Sequence, residues 1–352
     1  MVASTENERI YKFKALTDLW TGDVNGKSAR LITTGLLGSI RWWFEVLVRG
    51  LGSSACDPTA DTKCEGRNHC VVCELFGCTG WARKFRFDVL DKDCNIREAK
   101  NDEGTNISPQ IKKDEKFSLR FTALRPICNE EWTLLDATLR LIADYGAIGG
   151  KTVFKPTDES DREKEIHHQD YGIVEIVKVD PQIKVPKVME VKKYILDERW
   201  RKPELKDYDS CWASLKYFWF VGDKTLTRCY ANSSSFNRVL GRKESKACSD
   251  CGQVHNPPNK WPKTKKHPSR ESEQLVDGND RISKWLAGSQ QESKKVFSFK
   301  NPARTFGFVK PGLIDFNTMK QRLTNAWGQN GWSFLTGDEI IGQLFALKEG
   351  RS

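Results

Sequence analysis

Hydrophobic and polar positions along the chain follow two rhythms, one of period two and one near 3.6 residues. Residues 9–20 alternate as a strand does, and a turn at 21–27 follows. Residues 35–50 then take a helical period. With residues about 100° apart, Leu36, Leu37, Ile40, Trp43, Phe44, Leu47, Val48 and Leu51 gather on one broad face. Arg41, Glu45, Gly38, Arg49 and Trp42 gather on the other, and Thr33 or Thr34 is available as N-cap. The spacing predicts Trp43 in the core and Trp42 at the surface.

Alternation returns at 83–90 and 116–124. Residues 130–145 read as an amphipathic helix with Trp132, Leu135, Leu139 and Ile142 on one face, and 171–179 as a strand. Strand, helix, strand, strand, helix, strand is the split βαβ order of a ferredoxin-like domain. Residues 180–203 read as a connection with one short helix around 191–200. The second half repeats the order less clearly: strands at 215–221, 296–299 and 305–309, and helices opening at 233 and spanning 315–326 and 337–348. The expected class is α+β, two ferredoxin-like (RRM-like, βαββαβ) domains. The first, 1–180, carries a cysteine-rich loop at 56–73. The second, 181–352, carries a long polar insertion at about 245–295, expected to be extended or partly disordered.

At 352 residues, with 30% charged and 38% hydrophobic residues, the composition suits a globular protein of two domains. No apolar run approaches a membrane span and the polar start is no secretory signal, so a cytoplasmic protein without membrane partners is expected. A net charge of +10 favours a polyanionic partner such as nucleic acid. Eleven cysteines in a reducing compartment point to metal ligation rather than a disulfide framework.

Cys56, Cys64, Cys70 and Cys73 supply four thiols within one loop, the last two as a Cys-x-x-Cys pair suited to one tetrahedral ion. Structural Zn2+ is the expected cofactor, with His69 and Cys78 as substitute ligands and unpaired buried thiols as the alternative. Cys248, Cys251 and His255 form a second, incomplete set, with His267 or Cys229 as a fourth ligand, open between metal and no metal. Cys94, Cys128 and Cys211 are single and are assigned to packing. His167 and His168 lie in a charged arm at 156–170, where they are either a proton-transfer pair or simply polar. Gly146, Gly149, Gly150 and Lys151 form a glycine-rich stretch that either meets phosphates through backbone amides and a cation or ends the helix before it.

Several of these stretches together resemble the RAMP proteins of CRISPR systems: Leu19-Trp-Thr-Gly22, the helix with its Gly-Ser-Ile-Arg-Trp-Trp core, Cys73-Glu-Leu-Phe-Gly-Cys-Thr-Gly80 and Tyr145-Gly-Ala-Ile-Gly-Gly-Lys-Thr152. Within them the resemblance is to the first subunit of the type III-B Cmr effector complex, and it spans roughly residues 15–178. It implies two ferredoxin-like domains packed together in a multisubunit ribonucleoprotein for antiviral defence. It further implies a noncatalytic subunit holding the 3′ region of the guide RNA and the captured target RNA, beside the other subunits of the complex. Carried onto this chain, the RNA-binding residues are Arg41, Trp42, Gly38, Arg49, Arg30, Gly149, Gly150 and Lys151. Two other readings stay open. One is a RAMP-fold endoribonuclease processing precursor guide RNA with His167 or His168. The other is an assembly protein that never touches RNA.

Overall fold

The computed structural model describes residues 7–23, 25–56, 63–97, 99–100, 106–150, 156–157, 164, 166–181, 187–202, 212–227, 234–241, 243–245, 272–274, 280–288 and 293–346. Strand β1 (Glu8–Ala15) turns Tyr11, Phe13 and Ala15 to the interior, as alternation requires. Helix α1 (Thr33–Gly50), short helix α2 (Val71–Phe76) and strand β2 (Phe85–Leu90) follow. Next come strand β3 (Lys116–Ala123), helix α3 (Asn129–Tyr145), strand β4 (Val174–Asp180) and helix α4 (Val188–Ile195).

The first sheet has the order β2-β3-β1-β4, with all three neighbouring pairs antiparallel. That is the ferredoxin-like arrangement anticipated from the order of elements. Tyr11 pairs with Leu119 and Phe13 with Phe117, and the Phe13 and Phe117 rings stack at 5.5 Å. Each such side chain, fully buried, contributes about 1.5–3 kcal/mol. In α3, Trp132, Leu135, Leu139 and Ile142 are all buried, and so are Leu134, Ala137 and Leu141. The buried face is therefore broader than a single stripe. Its interior hydroxyls are satisfied by back-bonding, Thr133 donating to the Asn129 carbonyl and Thr138 to that of Leu134.

In the second half lie strand β5 (Phe218–Gly222), helix α5 (Ser235–Leu240), helix α6 (Arg281–Ala287), strands β6 (Val296–Lys300) and β7 (Ala303–Phe308), helix α7 (Phe316–Trp327), strand β8 (Leu335–Thr336) and helix α8 (Gly337–Phe345). The sheet order β6-β7-β5-β8 repeats that of the first, so the fold is a duplicated ferredoxin-like one. By compactness the chain divides into interleaved segments. One unit is Met1–Thr152, Tyr171–Phe218 and Leu335–Ser352; the other is Val153–Asp170 and Trp219–Phe334. No helix among the described residues is long and apolar enough to cross a membrane.

The expectation for 245–295 needs correction where the structure describes it. Lys243–Ser245 pairs with Ser272–Gln274 as a small ribbon, and α6 lies within the polar run. Trp285 and Leu286 are buried there, a short helical apolar pattern masked by its polar surroundings. Asp280 caps the helix, accepting from the N–H groups of Ile282 and Ser283 at 3.0 and 3.2 Å. Arg322 of α7 donates to the same carboxylate at 3.0 Å and to the Val239 carbonyl of α5. Burial would raise the Asp280 carboxyl, but bonds from Ser283, Ile282 and Arg322 hold it below the ordinary aspartate range. Asp280→Ala removes the cap and a partner of Arg322. Chemical denaturation is expected to show a loss of about 1–2 kcal/mol, and an unchanged midpoint would mean that α6 does not depend on this cap.

Candidate functional site

Residues three or four apart on a helix are surface neighbours, and this divides the outer side of α1 into two stripes. Arg41, Glu45 and Arg49 form one. Arg41 Nε donates to Glu45 Oε1 at 3.1 Å, and Arg49 Nη2 lies 3.6 Å from Glu45 Oε2. The stripe does not face water: the three side chains are 30%, 7% and 8% exposed. Arg41 Nη1 donates to the Gly77 carbonyl at 2.9 Å, and Nη2 to Cys73 Sγ at 3.2 Å and Cys56 Sγ at 3.6 Å. Arg49 donates to the carbonyls of Ala213 and Cys56 at 3.0 and 3.4 Å. The expected outer face is thus corrected: Glu45 is buried, and both arginines are turned to the cysteine loop and backbone carbonyls. Burial opposes charge on Arg41, yet the Cys73 sulfur and Glu45 carboxylate hold its guanidinium above the ordinary arginine range.

The four cysteines named by their spacing come together. Cys56, Cys64, Cys70 and Cys73 are buried, with all four Sγ atoms within 4.8 Å of one another and Cys56 and Cys73 at 3.4 Å. A tetrahedral ion with metal–sulfur bonds near 2.3 Å needs sulfurs about 3.8 Å apart, so the cluster can hold one metal ion. The Cys70 N–H points to Cys64 Sγ at 3.3 Å, and Arg201 Nη1 reaches the same sulfur at 3.4 Å.

His69 and Cys78 stand outside this set. His69 Nδ1 donates to the Gly66 carbonyl at 2.6 Å, since a carbonyl can only accept, and Nε2 meets Glu74 Oε2 at 2.7 Å. Both ring nitrogens are therefore in use, and the ring lies against Trp81 at 4.5 Å. Glu74 also pairs with Lys84, whose ammonium donates to both oxygens of buried Glu131 at 2.8 and 3.0 Å. Tyr194 of α4 donates to Glu131 at 2.9 Å. This chain of ion pairs fastens the cysteine loop to β2, α3 and α4. Burial alone would lower Lys84, but Glu131 and Glu74 together raise it above the ordinary lysine value.

The second stripe of α1 is open. Thr34, Gly35 and Gly38 are exposed and Trp42 is half-buried, its ring edge-on to Trp43 at 4.9 Å. Among the described residues nothing lies within 4 Å of where a Gly38 Cβ would stand. The helix starts at Thr33 with Ile32 as N-cap and no capping side chain, so neither Thr33 nor Thr34 caps it. Buried Thr21 sets the entry instead: its hydroxyl accepts the Ile32 N–H at 2.8 Å and donates to the Arg30 carbonyl at 3.2 Å. Arg30 itself is exposed.

The glycine stretch packs onto this helix. Gly146 is the C-cap of α3 and lies against the Trp43 ring, while Trp43 Nε1 donates to the Ala147 carbonyl at 2.8 Å. Gly149, at φ +104, donates its N–H to Ser39 Oγ at 3.0 Å, and Gly150 donates to the Trp20 carbonyl at 2.8 Å. Those amides serve packing rather than a phosphate cradle. A side chain at 149 would meet the Trp20 carbonyl oxygen at 2.5 Å, which is why glycine stands there. Lys151 lies outside the described residues.

On the sheet face away from the helices, Arg120 pairs with Asp88 at 2.9 Å, Arg86 with Asp88 at 3.0 Å, and Thr122 bonds Glu8 at 3.1 Å. An ion-pair network occupies the surface where an RRM displays stacking aromatics. His168 is buried on a short turn, Ile166–His168, not solvated in an arm, and the His167 side chain is outside the description. Cys211, Cys229, Cys248, Cys251, His255 and His267 also lie outside it. Cys94 is exposed at positive φ in a turn rather than packed, and Cys128 is the N-cap residue of α3. Arg201, Thr21, Ser39 and the Lys84–Glu131 pair were not singled out from the sequence. For Arg201 no local signal exists, since 137 positions separate it from Cys64.

Residues 12–154 match the family model of the RAMP superfamily. No curated protein sequence matches. Among solved structures, Cmr1 from Pyrococcus furiosus in its apo form is 10% identical with a TM-score of 0.43, covering 94% of this chain and 99% of that one. The type III-B Cmr-beta complex bound to cognate target RNA contains a chain 13% identical with a TM-score of 0.44, covering 91% and 99%. A chain of the type III-A Csm3-Csm4 subcomplex is 14% identical with a TM-score of 0.24, covering 50% and 78%.

Two glycine substitutions should move stability in opposite directions. A Gly146→Ala Cβ would stand 2.6 Å from the Trp43 ring, and overpacking there is expected to cost about 1–3 kcal/mol. Gly38→Ala enters open space on a helix and is expected to gain about 0.5–1 kcal/mol. Denaturant unfolding of both variants measures this, and a neutral Gly146→Ala would refute the Trp43 contact.

Proposed function

We propose that this chain is a noncatalytic, RNA-binding subunit of a type III-B CRISPR ribonucleoprotein effector, holding the 3′ region of the guide RNA and the captured target RNA. The observation that carries the reading is the single surface made by the open stripe of α1 and the glycine stretch beside it. Thr34, Gly38 and Trp42 line one side of the helix, Ser39 ties Gly149 to it, and Arg30 lies exposed before its uncapped start. The positive end of the helix, an exposed arginine and a half-buried tryptophan suit a phosphate chain and a base or sugar to stack. The match of residues 12–154 to the RAMP superfamily supports the reading, because that span contains all of these residues.

In this reading Arg30 supplies phosphate contact, Trp42 a stacking plane, and Gly38, Gly149 and Gly150 the close approach. Lys151 joins them by its place in the sequence. Arg41 and Arg49 serve by holding the helix against the cysteine loop. The four cysteines hold structural Zn2+, which a closed four-thiolate set suits and which supplies a fixed point for the loop. The partners are guide RNA, target RNA and the other subunits of the effector, in the cytoplasm.

Single-stranded RNA binding by the purified chain, titrated over a range of salt, tests the surface. Arg30→Ala is expected to weaken binding across sequences and reduce the salt slope by about 1. Trp42→Ala is expected to lose about 1–3 kcal/mol of stacking. Wild-type affinity in both variants would refute this surface. Elemental analysis should find about one zinc per chain, lost with Cys64→Ser together with protease resistance of the loop. A protease-resistant loop without metal would refute the zinc assignment.

A further inference from the structure

Four thiolates around a divalent ion carry a net charge of −2, and the four cysteines here are buried. A buried dianion is costly unless opposite charge and hydrogen bonds reach it. Two guanidinium groups do so from separate parts of the chain. Arg41, on the stripe of α1 that faces the cysteine loop, puts Nη2 at 3.2 Å from Cys73 Sγ and 3.6 Å from Cys56 Sγ. Arg201, after α4, puts Nη1 at 3.4 Å from Cys64 Sγ, while its own N–H is bonded to the His69 carbonyl at 3.0 Å. Three of the four sulfurs thus accept from a cation.

We propose that Arg41 and Arg201 are positioning residues of the metal centre: they neutralise its two negative charges, slow metal loss and clamp α1 and the segment after α4 to it. The proposal rests on the reading of the four cysteines as a zinc site. Glu45 fits it, since its carboxylate bonds Arg41 and pairs with Arg49, leaving the group of three arginines, one glutamate and metal centre electrically balanced. The arrangement also explains why a conspicuous arginine of α1 points away from the open stripe. Its acceptors are the Glu45 carboxylate, the Gly77 carbonyl and the sulfurs of Cys73 and Cys56.

The full chain serves for the test, as wild type, Arg41→Met, Arg201→Met and Arg41→Lys, with the exposed Arg86→Met as control. Zinc content of the wild type is measured first, and a wild type that binds neither zinc nor cobalt overturns the metal reading and this proposal with it. With metal present, zinc release to excess chelator is expected to quicken in Arg41→Met and Arg201→Met, following a loss of affinity of about 10- to 100-fold. Arg41→Lys should recover part of that loss and Arg86→Met should match wild type. In the cobalt-substituted proteins the sulfur-to-cobalt charge-transfer band should move to longer wavelength in each Met variant, because a sulfur that loses a hydrogen bond donates more readily. If the Met variants hold metal with wild-type release rates and an unmoved band, the proposal is overturned. Should Arg41→Met fail to fold, Arg201→Met and Arg41→Lys decide it alone.

Discussion

Helix α1 is held on the polar side by Arg41, Glu45 and Arg49, and much of the first unit's architecture depends on that contact. A glutamate 7% exposed between two arginines would be costly if any partner were missing. Each one is supplied. The Glu45 carboxylate meets both guanidinium groups, and Nη donors of the two arginines reach the carbonyls of Gly77, Ala213 and Cys56 and cysteine sulfurs, while Arg49 Nε has no partner among the described residues. Breaking one member leaves another buried and unpaired, so the stripe acts as a unit rather than as separate surface ion pairs. A surface pair of this kind would contribute less than about 1 kcal/mol; this one is placed where desolvation makes each partner indispensable.

The same contact decides what the helix leaves open. With the apolar face against the sheet and α3, and the Arg41–Glu45–Arg49 stripe under the cysteine loop, the side of Thr34, Gly38 and Trp42 remains. Its neighbour, the glycine stretch, is fixed by close approach: Gly146 under the Trp43 ring, Gly149 at the Trp20 carbonyl. Two tightly packed joints thus bring residues about 110 positions apart into one surface, as the Gly149–Ser39 bond records.

Much of this was legible in the sequence, and what was not has physical causes. Period-two and period-3.6 patterns placed β1, β2, β3, α1 and α3, because each buries one face against a core, and placed β4 although only its Val174 is buried. The Cys-x-x-Cys pair with two upstream cysteines identified the cluster, since ligand spacing is local. Trp43 in the core followed from angle alone, while Trp42, expected at the surface, is half-buried. The destination of a polar face did not, because a wheel cannot distinguish water from carbonyls and sulfurs; hence Arg41, Glu45 and Arg49 were expected outside. Capping failed at Thr33 and Thr34 because Thr21, distant in sequence, fixes the entry of the chain. Helix α6 was hidden because a seven-residue helix has room for only two buried apolar side chains.

If RNA lies across this surface, the structure constrains how it would be gripped. The amides of Gly149 and Gly150 already donate within the protein, so recognition of phosphate falls to side-chain cations and the helix end. Such contacts depend on salt and are indifferent to sequence. Among the described residues the ion-paired sheet face offers no ring for a base, which leaves Trp42 as the stacking plane of α1. A guide RNA varies in sequence from one molecule to the next, and a grip that combines phosphate charge with one stacking ring suits that demand. Because α1 is fixed on its other two sides before any ligand arrives, little ordering of the helix is required on binding, and that economy of entropy favours affinity.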